Sequence, residues 1–216
     1  MAANIYLSPS SQPANTYAVG DTNEQVQCRR IAAELETHLR RCGFPVLAGM
    51  EGTMYTRVAQ SNDWGADLHL CIHTNAFDGK VAGLRIMISK KGGEAEEIAQ
   101  AIMETLAPIT PGQSDGISQY PGLYEIQNTR AICVYVEVGF HDNPQEAQWI
   151  IDNTETVAAA MAQALCSHYG VTWVPVEKTV YRVQVGAFYT QQYAEDLRRE
   201  LEDKGYDAFV VEGNHV

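Results

Sequence analysis

The segment TRAICVYVEVGF, residues 129–140, is the most β-rich stretch of this 216-residue chain. Its apolar character is almost continuous, which is typical of a central strand covered on both faces in a parallel sheet. Glu137 stands near the end of this apolar run. A carboxylate at such a place is costly to desolvate unless a cation or hydrogen-bond donors lie nearby. The segment therefore predicts a parallel sheet and draws attention to Glu137.

The segments on either side alternate between strand-like and helix-like patterns. Strands are predicted at residues 5–7, 45–49, 67–76 and 83–89, and helices from about Thr22 to Cys42, over residues 55–65, from about Glu94 to Leu106 and from about Gln145 to Tyr169. The first helix is expected to begin near Thr22, because Thr22 and Gln25 have the spacing of a capping box. This alternation predicts an α/β fold, a mostly parallel twisted sheet with helices on both faces.

A second, smaller pattern follows the predicted first domain of residues 1–170. Residues 171–179 resemble a linker, and residues 180–216 contain a strand pattern, a helix with Tyr193, Leu197 and Leu201 on its inner side, and a second strand pattern. We expect one small β-α-β half module here. A unit of this size is too small to be stable without a partner.

Composition restricts the partners. The formal net charge of −12 and the isoelectric point near 4.8 exclude a nucleic-acid-binding protein, which needs basic surface. No apolar run is long enough for a spanning helix, so no membrane partner is expected, and no signal peptide is visible. The five cysteines include no C-x-x-C pair. We interpret them as small buried side chains in a reducing compartment and assign them no chemistry.

Three predicted strand ends carry polar side chains that should converge. Residues 8–12, His73 and residues 137–141 lie at the carboxyl ends of strands, where open α/β sheets bind ligands. Glu24, at a helix start, can reach the same place. Each residue has a simpler interpretation, since Glu24 would also favour the helix dipole and His73 would also serve as an ordinary hydrogen-bonded residue. Glu137 is harder to explain without a cation or donors.

Four ordered pieces of sequence resemble one known family. They are TNE at residues 22–24, R-x-x-x-S-N at residues 57–62, ADLHLCIHTNA at residues 66–76 and VYVEVGFHDNP at residues 134–144. In order and spacing they resemble the zinc-dependent N-acetylmuramoyl-L-alanine amidases of type 3, which cleave peptidoglycan. The resemblance covers about residues 4–170 and implies an α/β catalytic domain.

The resemblance implies roles for three residues. By position, Glu24 and His73 correspond to zinc ligands of the family, and Glu137 corresponds to its catalytic glutamate. Zinc held by three protein ligands keeps a position for water, lowers the pKa of that water to about 7 and polarises a carbonyl group. A nearby carboxylate can move the proton from the water to the leaving nitrogen.

This chain departs from the family at the first zinc ligand. The family usually has a D-P-G-H-G loop after its first strand, whereas this chain has S-P-S-S-Q. The histidine position aligns with Ser11, a poor zinc ligand. Gln12 can offer an amide oxygen, and His141 is another imidazole close in sequence to Glu137. We predict Gln12 as the third ligand and leave Ser11 and His141 open. His69 lies on the same strand side as His73, and either supports the site or packs ordinarily.

The C-terminal part resembles a second family. Residues 181–211 are similar to the first half of a SPOR domain, a module that binds glycan strands stripped of their stem peptides. The matching parts are VQVGAF at residues 183–188 and L-x-x-K-G-Y-D-A-F-V at residues 201–210. The complete module repeats the β-α-β pattern. We therefore expect the half modules of two chains to pair in a homodimer, with docking onto the first domain or disorder as alternatives.

Together these resemblances imply a hydrolase that cuts the amide bond between N-acetylmuramic acid and L-alanine, with zinc as cofactor and peptidoglycan as partner. Two alternatives stay open, a zinc peptidase of related architecture and a wall-binding protein that has lost its metal. We expect a protein that is made in the cytoplasm and acts on the cell wall. Release by lysis, as for an endolysin, and release by mother-cell rupture during sporulation are routes that would bring it there.

Overall fold

The computed structural model describes residues 2–176 and 183–213. Contacts divide the chain after Val176 into two units, and each is described by itself. In the described residues, no helix is long and apolar enough to cross a membrane.

The first unit contains six strands and six helices in its described residues. The strands are β1 (Ile5–Pro9), β2 (Val46–Ala48), β3 (Leu68–Asn75), β4 (Arg85–Ile88), β5 (Gly116–Gln119) and β6 (Ile132–Phe140). The helices are α1 (Glu24–Arg41), α2 (Met54–Trp64), α3 (Glu94–Leu106), α4 (Tyr124–Asn128), α5 (Pro144–Asp152) and α6 (Thr154–His168). The alternation predicted from sequence is confirmed, whereas β5 and α4 were not predicted.

The six strands form one sheet in the order β2-β1-β3-β6-β4-β5. Neighbouring strands are parallel except β4 and β6, which are antiparallel. The predicted α/β class with a mostly parallel sheet is therefore confirmed. As predicted, β6 is central, with β3 on one side and β4 on the other.

One face of the sheet is apolar and is packed by α1, α3, α5 and α6. On β3 this face carries Leu68, Leu70 and Ile72, all fully buried. Side chains alternate between the two faces of a strand, so these residues stand together as predicted. Burial of such side chains is worth about 1.5–3 kcal/mol each, and this face therefore provides most of the stability.

The opposite face is largely polar and lies beneath the short helices α2 and α4. Its side chains on the two central strands are His69, Cys71 and His73 on β3 and Cys133, Tyr135 and Glu137 on β6. Ile126 of α4 forms a small apolar cluster with Cys71 and Cys133 of this face, and Leu123, just before α4, packs against that cluster. All the titratable candidates on the two central strands thus lie on one side of the sheet.

Two predicted helix boundaries were wrong. The N-cap of α1 is Asn23 and not Thr22, because Asn23 Oδ1 accepts a hydrogen bond from Val26 N at 3.0 Å. The hydroxyl of Thr22 instead accepts from Gln27 Nε2 at 2.9 Å. The single helix predicted from about Gln145 to Tyr169 is broken at Asn153, which ends α5 and starts α6.

Residues 171–176, part of the predicted linker, belong to the first unit and contact α1. Trp173 lies against the ring of His38 in α1, with ring centroids 5.4 Å apart. The carbonyl oxygen of Pro175 accepts a hydrogen bond from Arg41 at 3.3 Å. The remaining residues of the predicted linker lie outside the described part of the chain.

The second unit contains helix α7 (Gln191–Asp203), as predicted. The flanking strand patterns form no strands within residues 183–190 and 204–213, and residues 180–182 and 214–216 lie outside the described residues. A strand needs a hydrogen-bonded neighbour, and one β-α-β unit offers few. On the predicted inner side of α7, Tyr193 is 62% exposed, whereas Leu197 and Leu201 are half-buried.

Candidate functional site

The candidate site lies where β3 and β6 end beside the start of α1. His73 and Glu137 are register partners on these parallel strands, and the register shifts just beyond them. Glu24 is the first residue of α1, and its main-chain N–H donates to Asn15 O at 2.9 Å. This bond ties the loop after β1 to the helix start. The sequence prediction that Glu24 reaches the strand ends therefore agrees with the geometry.

Glu24 is fully buried and surrounded by donors. Its Oε1 lies 2.8 Å from His73 Nδ1 and accepts from Thr74 N at 3.3 Å, while Oε2 accepts from Asn15 Nδ2 at 2.6 Å. Burial by itself would raise the pKa of Glu24, but the hydrogen bonds from His73, Asn15 and Ser10 outweigh burial and lower it. Glu24 is therefore an anion held in place by hydrogen bonds.

The ring of His73 is fixed from two directions. It stacks on Tyr135, with ring centroids 4.4 Å apart, and its Nδ1 faces Glu24. Gln12 contacts the same nitrogen through Nε2 at 3.5 Å, and Gln12 Oε1 accepts from Asn15 Nδ2 at 3.2 Å. Glu24, His73 and Gln12, predicted from sequence as one group, are thus brought together around one nitrogen atom.

Glu137 is 9% exposed, and its Oε2 has no hydrogen-bond partner among the described residues. Burial raises the pKa of Glu137 to about 7, with a smaller increase from Glu24 and opposing effects from His73 and Arg85. A carboxyl group with a pKa close to neutrality can both accept and return a proton near pH 7.

His141 is held by different contacts. Its Nδ1 lies 3.0 Å from the main-chain oxygen of Thr74 and 3.0 Å from the Thr74 hydroxyl oxygen, so Thr74 occupies this nitrogen. Its ring stacks on Tyr17, with centroids 5.5 Å apart. A metal bond from His141 would therefore have to come from Nε2.

Arg57, from the R-x-x-x-S-N piece, is almost fully buried in α2. Its guanidinium donates to the carbonyl oxygen of Pro9, the last residue of β1. The next residues along the chain lead to Gln12. Arg57 therefore holds the start of the loop that carries Gln12.

Glu125 in α4 was missed by the sequence analysis. It accepts hydrogen bonds from Ser8 Oγ and faces His69 Nε2 at 3.2 Å. Burial would raise the pKa of Glu125, but the bonds from His69 and Ser8 outweigh burial and lower it. A five-residue helix has no clear periodicity, so no local signal marked Glu125.

The donor set around His73 is compatible with zinc. Ligand bonds of about 2.0–2.2 Å in a tetrahedron place two nitrogen or oxygen atoms about 3.3–3.6 Å apart. Glu24 Oε1 lies 2.8 Å from His73 Nδ1, and Gln12, whose Nε2 lies 3.5 Å from the same nitrogen, would have to bind through Oε1 because an amide nitrogen has no free lone pair. Within the described ranges, no third histidine, cysteine or acidic residue joins Glu24 and His73 in a compact group. The site thus offers two strong ligands and one amide.

Comparison with known proteins identifies the family. Residues 8–167 match the N-acetylmuramoyl-L-alanine amidase family. The chain belongs to this family. Residues 134–213 also match the SPOR domain family, a stretch that overlaps the end of the amidase match.

Two curated amidases illustrate the relationship. The N-acetylmuramoyl-L-alanine amidase CwlM of Bacillus licheniformis is 27% identical over 158 residues, which cover 72% of this chain and 60% of CwlM. The sporulation-specific N-acetylmuramoyl-L-alanine amidase of Bacillus subtilis (strain 168) is 23% identical over 216 residues, 96% of this chain and 84% of that protein. The chain thus spans less than two thirds of CwlM.

Solved amidase structures share the fold. The catalytic domain of CwlV from Bacillus (Paenibacillus) polymyxa var. colistinus matches with a TM-score of 0.70 at 19% identity. The match covers 80% of this chain and 100% of the CwlV domain. The catalytic domain of the CD27L endolysin matches with a TM-score of 0.64 at 18% identity. This match covers 76% of this chain and 97% of the endolysin domain. These matches show that the chain has the fold of amidase catalytic domains.

Proposed function

We propose that this amidase-family chain is a peptidoglycan hydrolase that cleaves the amide bond between N-acetylmuramic acid and the L-alanine of the stem peptide. The observation that carries the proposal is the pairing of Glu137 with His73 across β6 and β3, beside the buried anion Glu24. Membership of the amidase family supports this reaction over that of a zinc peptidase.

We propose Glu24, His73 and Gln12 as the residues that hold zinc. When bound, zinc supplies a water of lowered pKa and polarises the substrate carbonyl. Glu24 provides the negative charge, and Asn15 and Thr74 keep its carboxylate oriented. The amide of Gln12 is a weaker donor than an imidazole, so this chain should hold zinc less tightly than relatives with three strong ligands.

Glu137 is proposed as the catalytic residue that moves the proton. It takes up a proton at its carboxylate and returns it to the nitrogen of the leaving amine. Its Oε2 suits this role because that atom has no competing hydrogen bond among the described residues. In the metal-free protein burial raises the pKa of Glu137 to about 7, and a cation bound beside it would lower that value.

The C-terminal unit is proposed to be a partial SPOR-like module that binds peptidoglycan at the cell wall. We place its start near residue 180, after a catalytic domain of residues 1–170 and a linker of residues 171–179. The match to the SPOR family supports this assignment. Apolar side chains such as Tyr193 and Phe209 are 62% and 72% exposed, which supports pairing of two such units in a homodimer.

The test uses purified sacculi and the full chain with added zinc. Cleavage at the proposed bond creates new amino-terminal L-alanine without new reducing sugar ends, and both groups can be measured by chemical labelling. A chelator should abolish the signal and excess zinc should restore it. Binding to sacculi without new amino-terminal alanine would reject hydrolysis in favour of the wall-binding alternative. The weak zinc ligand at the third position is the observation that favours this alternative.

A further inference from the structure

His69, Cys71 and Cys133 form a compact buried cluster on the polar face of the sheet. One ring nitrogen of His69 and the two sulfur atoms lie within 4.8 Å of one another. Within residues 2–176 and 183–213, no other group of three histidine, cysteine or acidic side chains is this compact. The amidase reaction proposed above uses none of these side chains.

The strand register explains why the three residues meet. His69 of β3 is the register partner of Cys133 of β6, and Cys71 stands two residues further along β3 on the same side. The two sulfur atoms are 3.9 Å apart, and both cysteines are free. Zinc–sulfur bonds of about 2.3 Å in a tetrahedron place two sulfur atoms about 3.8 Å apart. The cysteines therefore already have the separation of a tetrahedral metal site.

The hydrogen bonding of His69 leaves one of its ring nitrogens without a partner in the described part of the chain. Its Nε2 faces Glu125 at 3.2 Å, and Glu125 is itself fixed by Ser8. A histidine that donates one N–H to a carboxylate presents the other nitrogen as a basic lone pair, a common arrangement around protein-bound metals. Here that other nitrogen, Nδ1, is buried and has no hydrogen-bond partner among the described residues. A buried nitrogen without a hydrogen-bond partner is uncommon in folded proteins and needs a structural or functional explanation.

We propose that Cys71, Cys133 and His69 bind a soft divalent cation of the zinc class, at a site separate from the one formed by Glu24 and His73. Binding releases one proton from each thiol, so two thiolates balance the charge of the ion, while Glu125 stays an anion beside His69. Thiolate and imidazole donors select such ions over magnesium or calcium.

The second ion would stabilise the parts of β3 and β6 that precede His73 and Glu137. Cys71 precedes His73 by two residues on β3, about 7 Å along a strand. A cation shared by β3 and β6 would connect the strands that carry His73 and Glu137 just before they reach the site. Ile126 of the short helix α4 packs in one apolar cluster with the two cysteines.

Cobalt(II) is the probe that separates the two sites. It replaces zinc, and only a sulfur-ligated cobalt gives strong thiolate-to-metal absorption in the near ultraviolet. We expect the reduced full chain, refolded with cobalt, to bind two ions and to show this absorption. In His73→Ala one ion should be lost and the absorption should stay. In Cys133→Ala one ion should be lost together with the absorption.

Cys166→Ala is the matched control, because Cys166 is also buried but lies in α6 outside the cluster. It should keep both ions and the absorption. X-ray absorption of the unaltered chain counts sulfur neighbours of the metal without any substitution, which decides the matter if Cys133→Ala does not fold. Absence of thiolate absorption at saturating cobalt, absorption that survives in Cys133→Ala, or a Cys71–Cys133 disulfide in the protein isolated without reductant would each overturn the proposal. Loss of hydrolysis in a chain that keeps this absorption would reject only the proposed function.

Discussion

The carboxylate of Glu24 lies 2.8 Å from Nδ1 of His73, although 49 residues separate them in sequence. One residue begins α1 and the other stands near the end of β3. The contact brings the negative charge of Glu24 next to an imidazole nitrogen of His73. This geometry leads to specific expectations about metal binding.

Glu24→Gln should weaken zinc binding more than a hundredfold, because it removes the anionic ligand while keeping the size of the side chain. Loss of outer hydrogen bonds alone typically costs 10–100-fold. Competition with a chromogenic chelator measures the change. Glu34→Gln, an exposed change on the same helix, is the control and should bind as the parent does. Equal affinities in the two variants would remove Glu24 from the ligand set.

Gln12→His should increase zinc affinity at least tenfold, since an imidazole replaces a weak amide donor. Ser11→His tests the position that aligns with the family histidine. Both variants can be titrated against the same chelator as the parent. If the parent already binds as tightly as these variants, another side chain, with His141 Nε2 as the first to test, is the third ligand.

Glu137→Gln should lose about 10²–10⁴-fold in hydrolysis of sacculi while it keeps its fold and metal. The loss follows because an amide cannot take up the proton that the carboxylate moves. Release of amino-terminal L-alanine and metal content are measured on the same sample. Release close to that of the parent would show that Glu137 does not carry the proton.

In the metal-free protein, the free energy of unfolding should depend on pH because Glu137 is buried. Its folded-state pKa of about 7 exceeds the ordinary value, so its contribution is fully present below about pH 4.5 and is lost as pH rises through 7. Relative to Glu137→Gln, the parent should lose up to about 3 kcal/mol of unfolding free energy over this range. Urea unfolding at several pH values with a chelator present measures the difference. A difference that stays constant with pH contradicts the raised pKa.

The oligomeric state should depend on the C-terminal unit. We expect the full chain to be a dimer and a version ending at Val176 to be a monomer, since the first unit has its own core. The shorter version retains Trp173, which packs on His38. Light scattering at high concentration compares the two. Two monomers would reject pairing through the C-terminal unit.

Much of the fold was predictable because its signals are local. The apolar run that became β6 and the alternation in β3 both depend on side-chain period and burial, which neighbouring residues reveal. The short strand β5 and the five-residue α4 were missed because they are too short to show a period. Asn153 breaks the last predicted helix within a sequence whose apolar spacing continues almost unchanged.

The candidate site was predictable only in part. Glu24, His73 and Glu137 came from motif order, and their proximity follows from strand ends meeting at one edge. The contacts of Glu125 and the meeting of Cys71 with Cys133 depend on the register between β3 and β6 and on the placement of α4. No single segment contains that information, which is why the cysteines carried no assigned chemistry in the sequence.

Substitutions on the two faces of the sheet should have different effects, on stability for one face and on activity for the other. The apolar face contains side chains such as Leu70 and Val136, and changes there should produce proteins that work when cool and inactivate on warming. The polar face contains His73 and Glu137, and changes there should produce proteins that withstand heat yet do not work at any temperature. A screen that scores heat resistance and activity separately would therefore separate variants at Leu70 and Val136 from variants at His73 and Glu137.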